Sequence, residues 1–300
     1  MMIAVCGGEG RPGRTFVAVN LAWSALEPVT LLDLDGARPR CSLFLKPAPE
    51  SAEVVFSPVP RLDPRRCDAC GECAAACRHR AILPLKASYL LLPALCSGCG
   101  QCLGVCPARA VSLSERRVGI VEKGRAGHVS LVSARLDDRE FQTRPLILAA
   151  KNLAEPSGLN ILDCPAGRSG PPIEALSGAD FALLVATPTP AGVDALARAV
   201  KRVKAAGLRC GAVINRAGHC DERLARYFRT ERIPVFLRIP EAPQIARAAA
   251  DGRLLARDLP RLRLNFRHLF FSIRNEIRRP SKIFLVGPAV HAEDLASLTA

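Results

Sequence analysis

The chain opens as short, continuous apolar runs separated by amphipathic stretches. Ile3-Ala4-Val5-Cys6 and Val29-Thr30-Leu31-Leu32-Asp33 are apolar runs of strand length, and Thr15 to Leu26 between them carries a helical period. Strands covered on both faces read as unbroken apolar runs, whereas strands with one wet face alternate. The same rhythm returns later. Strands are predicted over Leu159–Asp163, Phe181–Ala186, Cys210–Asn215 and Val235–Ile239, with helices over Ile173–Leu176, Val193–Ala206, Glu222–Phe228 and Pro243–Ala250. Short apolar strands alternating with helices predict an α/β fold with a doubly wound, mostly parallel sheet. Two stretches depart from that rhythm. Pro47, Pro49, Pro58, Pro60 and Pro64 predict a connecting segment. Val118 to Val132 alternates as a hairpin, with Gly124 and Gly127 near its turn.

Between these two stretches the chemistry changes. The chain has 13 cysteines, and eight of them lie in residues 67–106. The first residues, Met1-Met2-Ile3-Ala4-Val5, show no charged start, long apolar stretch or cleavage site, and no apolar run reaches about 18 residues, so a cytoplasmic protein is expected. An odd number of cysteines in a long chain without an export signal points to metal rather than to disulfides. Cys67-x-x-Cys70-x-x-Cys73-x-x-x-Cys77 is followed by Cys96-x-x-Cys99-x-x-Cys102-x-x-x-Cys106-Pro107. Two-residue gaps let a tight loop present three thiolates to three corners of a cubane, while the fourth cysteine reaches the other cluster. Cys67, Cys70, Cys73 and Cys106 are therefore assigned to one [4Fe–4S] cluster, and Cys96, Cys99, Cys102 and Cys77 to a second. Gly71, Gly98 and Gly100 allow the close turns between ligands. Zinc sites of this ligand type use two separated CxxC knuckles, which this spacing does not follow. The block resembles a bacterial two-cluster ferredoxin across about 45 residues, with Arg78 where proline is usual. Arg78, His79 and Arg80 are expected to raise the potential of one cluster locally. The block interrupts the α/β rhythm after its second strand. Residues 61–113 are thus expected to form an inserted ferredoxin-like α+β module within a discontinuous domain of residues 1–60 and 114–258, followed by a basic helix and tail over 259–300.

Gly7-Gly8-Glu9-Gly10-Arg11-Pro12-Gly13-Arg14-Thr15 stands between a predicted strand and helix, where a phosphate-binding loop belongs. Such a loop cradles phosphates with backbone amides, adds a lysine, and turns a Ser/Thr hydroxyl to Mg²⁺. Gly8, Gly10, Gly13, Arg14 and Thr15 are the candidates here for ATP or ADP with Mg²⁺. At this point the chain resembles the MinD/Mrp-type P-loop ATPases, in the branch with an inserted ferredoxin domain, over about residues 1–255. The resemblance places Arg14 at the loop lysine, Glu9 at an early lysine that reaches a dimer partner's nucleotide, Arg11 at a glycine, Pro12 at a threonine and Phe16 at the last threonine. It also implies that Asp33 and Asp35 position water and Mg²⁺, that Asp163, opening Asp163-Cys164-Pro165-Ala166-Gly167, is the metal-side carboxylate, and that Asn215 contacts adenine. Asp33, Asp35 and Asp163 are the catalytic candidates if the chain hydrolyses ATP. Thr187-Pro188-Thr189-Pro190 matches the segment before the next helix, with Thr187 where glutamate is common. Glu9 opposes a triphosphate: at about 4 Å and an effective dielectric near 20, each like charge costs about 4 kcal/mol. Two readings of the loop stay open, a weakened site in a homodimer or in a heterodimer with a competent paralogous ATPase, and a working ATPase that uses Arg14.

Net charge is +14, and 35 of the 42 cations are Arg, spread along the chain. No zinc-finger, helix-turn-helix or RNA-recognition signature accompanies the charge, so an acidic or anionic partner is expected rather than nucleic acid. Leu262, Phe266, Leu269, Phe270, Ile273 and Ile277 form an apolar stripe flanked by arginines. A basic amphipathic helix of this kind either packs on the sheet with its Arg stems outward or gives peripheral membrane contact through residues 261–279. Ile283 to Val286 is a candidate short strand. The functional expectation is an iron–sulfur protein acting in electron transfer or in cluster assembly and delivery, with a redox partner or a cluster recipient. A membrane-associated regulator of MinD type is the third reading.

Overall fold

Strands that carry apolar residues on both faces need a layer on each side, and the chain supplies both. The computed structural model describes residues 1–8, 10, 12–85, 89–167, 170–218 and 222–278. Glu9, Arg11, Cys220, Arg279 and the strand expected at Ile283–Val286 lie outside the described residues.

From the N-terminus, β1 (Met2–Gly7) leads through the glycine-rich loop to α1 (Arg14–Ser24), β2 (Val29–Asp33) and the short α2 (Cys41–Leu45). Next comes β3 (Ala48–Leu62), which enters the cysteine block. Within that block lie α3 (Glu72–Ala75), a small hairpin of β4 (Ile82–Pro84) and β5 (Tyr89–Leu91), and α4 (Gln101–Gly104). The chain returns as a hairpin of β6 (Val111–Ala126) and β7 (Val129–Leu136), then α5 (Arg144–Asn152). Alternation resumes with β8 (Leu159–Asp163), α6 (Ile173–Leu176), β9 (Phe181–Ala186), α7 (Pro190–Ala205), β10 (Cys210–Ala217), α8 (Glu222–Thr230) and β11 (Val235–Pro240). Three helices close the described chain, α9 (Pro243–Ala250), α10 (Leu255–Asp258) and α11 (Pro260–Arg278).

The nine-stranded sheet has the order β11-β10-β9-β1-β8-β2-β7-β6-β3. Strands β11 through β7 are parallel, whereas β6 and β3 are antiparallel to their neighbours. Alternation along β1 divides the core: Ile3 and Val5 pack with α1 and α11, Ala4 and Cys6 with α5 and α7. Asp33 and Asp163 pair in register at the carboxyl ends of β2 and β8, the edge where open α/β sheets bind ligands.

The proline-rich stretch is not a connection. It is β3, the outermost strand of the sheet. An edge strand leaves alternate N–H groups facing outward, so Pro58 and Pro60, two residues apart, need cost no ladder bond. Only Gly119–Ala126 of β6 pairs with β7, so Val111–Arg117 is paired with β3 alone. The strands thus continue past Leu136 as a two-stranded ribbon, off the carboxyl end of the sheet, and the cysteine block sits at its tip. The boundaries expected near residues 60 and 114 fall inside these strands, which belong to both parts.

The C-terminal stripe is also settled by packing. Leu262, Phe266, Leu269, Phe270 and Ile273 are buried against α1 and the sheet, and the Phe16 and Phe266 rings meet edge-on at 6.5 Å. Arg267 donates to the Ser24 carbonyl, and Arg274 pairs with Glu27 while lying over the Phe270 ring. Of the two alternatives for this helix, packing on the sheet is the one seen, and the apolar face that membrane contact through it would require is inside the core. Among the described residues no helix is long and apolar enough to cross a membrane.

Phe266→Ala is expected to destabilise the fold by about 3–5 kcal/mol, and Leu264→Ala, on the half-exposed side of the same helix, by less than about 0.5 kcal/mol. Denaturant unfolding of both variants measures the difference.

Candidate functional site

The two cysteine motifs fold into matching halves. Gly71 and Gly100 are left-handed (φ 80° and 74°) at the starts of α3 and α4. Two residues earlier, Ala69 and Gly98 share φ values of 58° and 72°. After the fourth cysteines, Arg80 and Arg109 repeat at 51° and 48°. The Ala81 N–H donates to Cys77 Sγ and the Ala110 N–H to Cys106 Sγ, each at 3.2 Å. Ala69 is the imperfect copy, because a Cβ in the left-handed region costs about 1–2 kcal/mol.

The ligand candidates gather in crossed groups. Cys77 lines one cavity with Cys96, Cys99 and Cys102, closed by Pro58 and Pro60 of the ribbon. Burial pushes the Cys102 thiol up, and Cys96 and Cys99 beside it add to the shift. On the other side Cys67, Cys73 and Cys106 pack on a small core of Leu62, Ile82 and Val111, which also takes in Cys102 between the two groups. Burial again raises the Cys73 thiol, reinforced by Cys106 and Cys67. Cys77 therefore lies with the second motif's triplet, and Cys106 with Cys67 and Cys73 of the first. Cys70 and Cys99 are the exposed members of the two sets.

This donor set fits iron–sulfur groups better than single ions. A tetrahedral ion with bonds of about 2.3 Å draws its sulfurs to about 3.8 Å apart. Among the described residues no three of the eight thiols come within 4.8 Å of one another. The wider spacing, the crossed grouping and the N–H···S bonds all suit a thiolate-held multi-iron core.

The phosphate loop is held by contacts within the protein. A side chain at Gly8 would collide with Ala195 of α7, and one at Gly13 (φ 92°) with the Asn215 amide. Asn215 is buried and donates Nδ2 to the Pro12 carbonyl at 2.8 Å. Gly10, also left-handed, faces open space. Arg14 donates to the Cys164 carbonyl at 2.9 Å and lies 3.7 Å from the Asp35 carboxylate. Thr15 Oγ1 donates to Asp163 Oδ2 at 2.5 Å. Thr187 is buried, and Thr189 caps α7 by accepting from the Gly192 N–H. Asp33 accepts from the Arg40 and Cys41 amides at 2.7 and 2.8 Å, which explains why α2 begins there. Cys41 was not a sequence candidate. Its thiol lies 3.7 Å from Asp163 Oδ2, and its ligand atom falls within 4.8 Å of those of Asp33 and Asp163. Nothing in the local sequence marks it, since the partners lie 8 and 122 residues away.

Burial pushes Asp33 up to about 6 and Asp163 up to about 7, each further raised by nearby carboxylates. The native state therefore holds extra protons that the unfolded chain, titrating near 4, has released. This contribution is full below about pH 4 and is lost as pH rises through about 7.

In the comparisons, residues 60–83 match the 4Fe-4S binding domain model. That span covers the first motif; the second lies beyond it. The uncharacterized protein MJ0579 of Methanocaldococcus jannaschii is 27% identical over 252 residues, spanning 80% of this chain and 88% of the relative. The Pyrococcus furiosus cell division ATPase MinD superposes with a TM-score of 0.54 at 21% identity, covering 91% of this chain and 98% of that one. The Pyrococcus horikoshii septum site-determining protein MinD, complexed with Mg-ADP, gives 0.54 at 17% identity, covering 93% and 99%. The chain thus has the fold of the MinD/ParA-type P-loop ATPases, and it carries a 4Fe-4S binding domain within that fold.

Two outcomes follow from this geometry. Asp163→Asn should stabilise the protein relative to the parent at about pH 8, with the gain shrinking as pH falls toward about 5.5. Anaerobic thermal melts across that range test this. Ala69→Gly should stabilise the module by about 1 kcal/mol, read as a higher midpoint for cluster loss in denaturant.

Proposed function

We propose that this chain is an iron–sulfur electron carrier with two [4Fe–4S] groups, built on a MinD-like fold whose own nucleotide site is weakened. The observation that carries the reading is the crossed grouping of thiols from one chain, Cys77 with Cys96, Cys99 and Cys102, and Cys106 with Cys67 and Cys73, to which the motif spacing adds Cys70. Four protein thiolates leave a cubane no open corner for a recipient, which favours a resident cofactor over cargo for delivery. When bound, each group stores and releases one electron. The chain's own residues do the rest: Ala81 and Ala110 aim N–H donors at ligand sulfurs, and Leu62, Ile82 and Val111 keep water from one side. Eight reduced thiols suit a cytoplasmic setting.

Residues 61–113 are the redox module and 1–60 with 114–258 its carrier, the two sharing β3 and β6, and the helix within 259–300 closes the carrier's core. The carrier reading rests on Arg14. Its guanidinium is hydrogen-bonded to Cys164 and neutralised by Asp35, so little charge is left for a triphosphate. Asp33, Asp35 and Asp163 remain, and a dimer with a competent paralogous ATPase supplies the missing lysines. A second reading, hydrolysis by this chain through Arg14, is favoured by one contact: Thr15 and Asp163 pair the hydroxyl and carboxylate that hold Mg²⁺ in a working loop.

Anaerobic analysis should find about eight irons and eight sulfides per chain. Cys106→Ala should drop this to roughly half, removing the group of Cys67, Cys70 and Cys73 while sparing that of Cys96, Cys99 and Cys102; loss confined to Cys96, Cys99 and Cys102 would refute the crossed assignment. For the carrier, phosphate release by the isolated loaded chain that Asp163→Ala abolishes would overturn the weakened-site reading.

A further inference from the structure

The two halves of the module share a backbone, so the groups they hold differ mainly through the side chains around them. Position by position, Asp68 and Glu72 beside Cys70 correspond to Ser97 and Gln101 beside Cys99. Arg78 and His79 after Cys77 correspond to Pro107 and Ala108 after Cys106, while Arg80 and Arg109 cancel. Crossed grouping puts both acidic residues with one set of thiols and the extra basic residues with the other. His79 lines the cavity of Cys77, Cys96, Cys99 and Cys102. Asp68 Oδ1 accepts the Cys70 amide at 3.2 Å, which both places a carboxylate at that ligand and takes its N–H. Serine at position 97 has no carboxylate to do the same. Arg65 and Arg66 precede Cys67, where the counterparts are Ala94 and Leu95. Arg65 and Arg66 are exposed, as Asp68, Glu72, Arg78 and His79 also are, so salt screens all of them. The Asp63 carboxylate, which accepts the Arg65 amide, offsets part of the charge of the two arginines, and Asp68 differs from them in its hydrogen bond at the ligand Cys70 itself.

Reduction adds one negative charge to a group. Carboxylates oppose that charge, and cations or N–H donors aimed at sulfur favour it. We propose that the module is electrically polarised: the first electron it accepts settles on the group held by Cys96, Cys99, Cys102 and Cys77, and the group held by Cys67, Cys70, Cys73 and Cys106 is the stronger reductant. A one-electron donor protein is oxidised by one electron and the module reduced by one, with no bond or proton moving. Downhill transfer then runs from the Cys70 edge, which is exposed, to the Cys99 edge, which is also exposed. This inference rests on the two-group, electron-carrying reading above.

The test is a redox titration of the full, cluster-loaded chain followed by electron paramagnetic resonance, with iron counted on the same samples. With about eight irons present, two resolved one-electron steps are expected, separated by at least tenfold in equilibrium constant, or about 59 mV. Asp68→Asn with Glu72→Gln should raise the lower step alone, and Arg78→Gln with His79→Ala should lower the upper step alone. A single unresolved step at full iron loading would overturn the polarity and leave the electron-carrier reading standing. So would movement of the upper step by the Asp68 and Glu72 substitutions. A count near four irons in the parent protein would overturn the two-group reading, and this inference with it.

Discussion

The pairing of β3 with β6 is the constraint on which the rest depends. Registered from Ala48 with Arg125 to Leu62 with Val111, these strands are bound to the main sheet at one end and to the cysteine module at the other. Because β6 runs antiparallel to β7 and outlasts it, the ribbon can leave the sheet only at the carboxyl edge, where Asp33, Asp163 and the phosphate loop also lie. A second tie fixes the module sideways. Arg116 in the ribbon forms an ion pair with Glu140, Glu140 also accepts the amides of Phe141 and Gln142, and Gln142 Nε2 donates to the Ala94 carbonyl at 3.1 Å inside the module. The long edge strand that this design exposes carries Glu50, Glu53 and three prolines, features that discourage edge-to-edge association.

At the same edge the glycine-rich loop is held by internal contacts. Two buried carboxylates meet at adjacent strand ends with one nearby guanidinium, and that guanidinium is divided between Asp35 and a backbone carbonyl. Desolvation outweighs the hydrogen bonds to Asp33 and Asp163, so protonation rather than an ion pair relieves the repulsion between them. Asn215 on Pro12, and α7 against Gly8, brace the loop from both sides. These contacts come from the chain's own residues.

Much of this was legible in the sequence because it is local. Apolar runs marked the parallel strands, Gly127 the turn of the β6–β7 hairpin, and cysteine spacing the two loops. What could not be read was tertiary. Pro58 and Pro60 argue against a strand unless it is an edge, and edge position depends on strand order. The stripe from Leu262 to Ile273 has one face whether it meets lipid or α1, and only α1's position decides. Cys41 and Arg14 each take one partner from a residue over a hundred positions away. The left-handed turn at Ala69 lay between these cases: placing the first motif over the second puts it on Gly98, although alanine by itself gives no sign of it.

In the proposed redox module that superposition of motifs also separates two demands. Distance between groups must be fixed, and crossed ligation would fix it, because moving one triplet would drag the other's fourth thiol with it; Cys73 lies close enough to Cys102 to act on its thiol. Direction must be free to vary, and a repeated backbone cannot supply it, since equal halves give equal groups. Only the positions outside the cysteine and glycine framework can differ without disturbing the geometry. Those positions, 68, 72, 78 and 79 against 97, 101, 107 and 108, are where this chain has departed from its own repeat in charge. Within the span of each motif the departures keep one sign for each group of thiols, with Arg65 and Arg66 just before Cys67 as the counter-example.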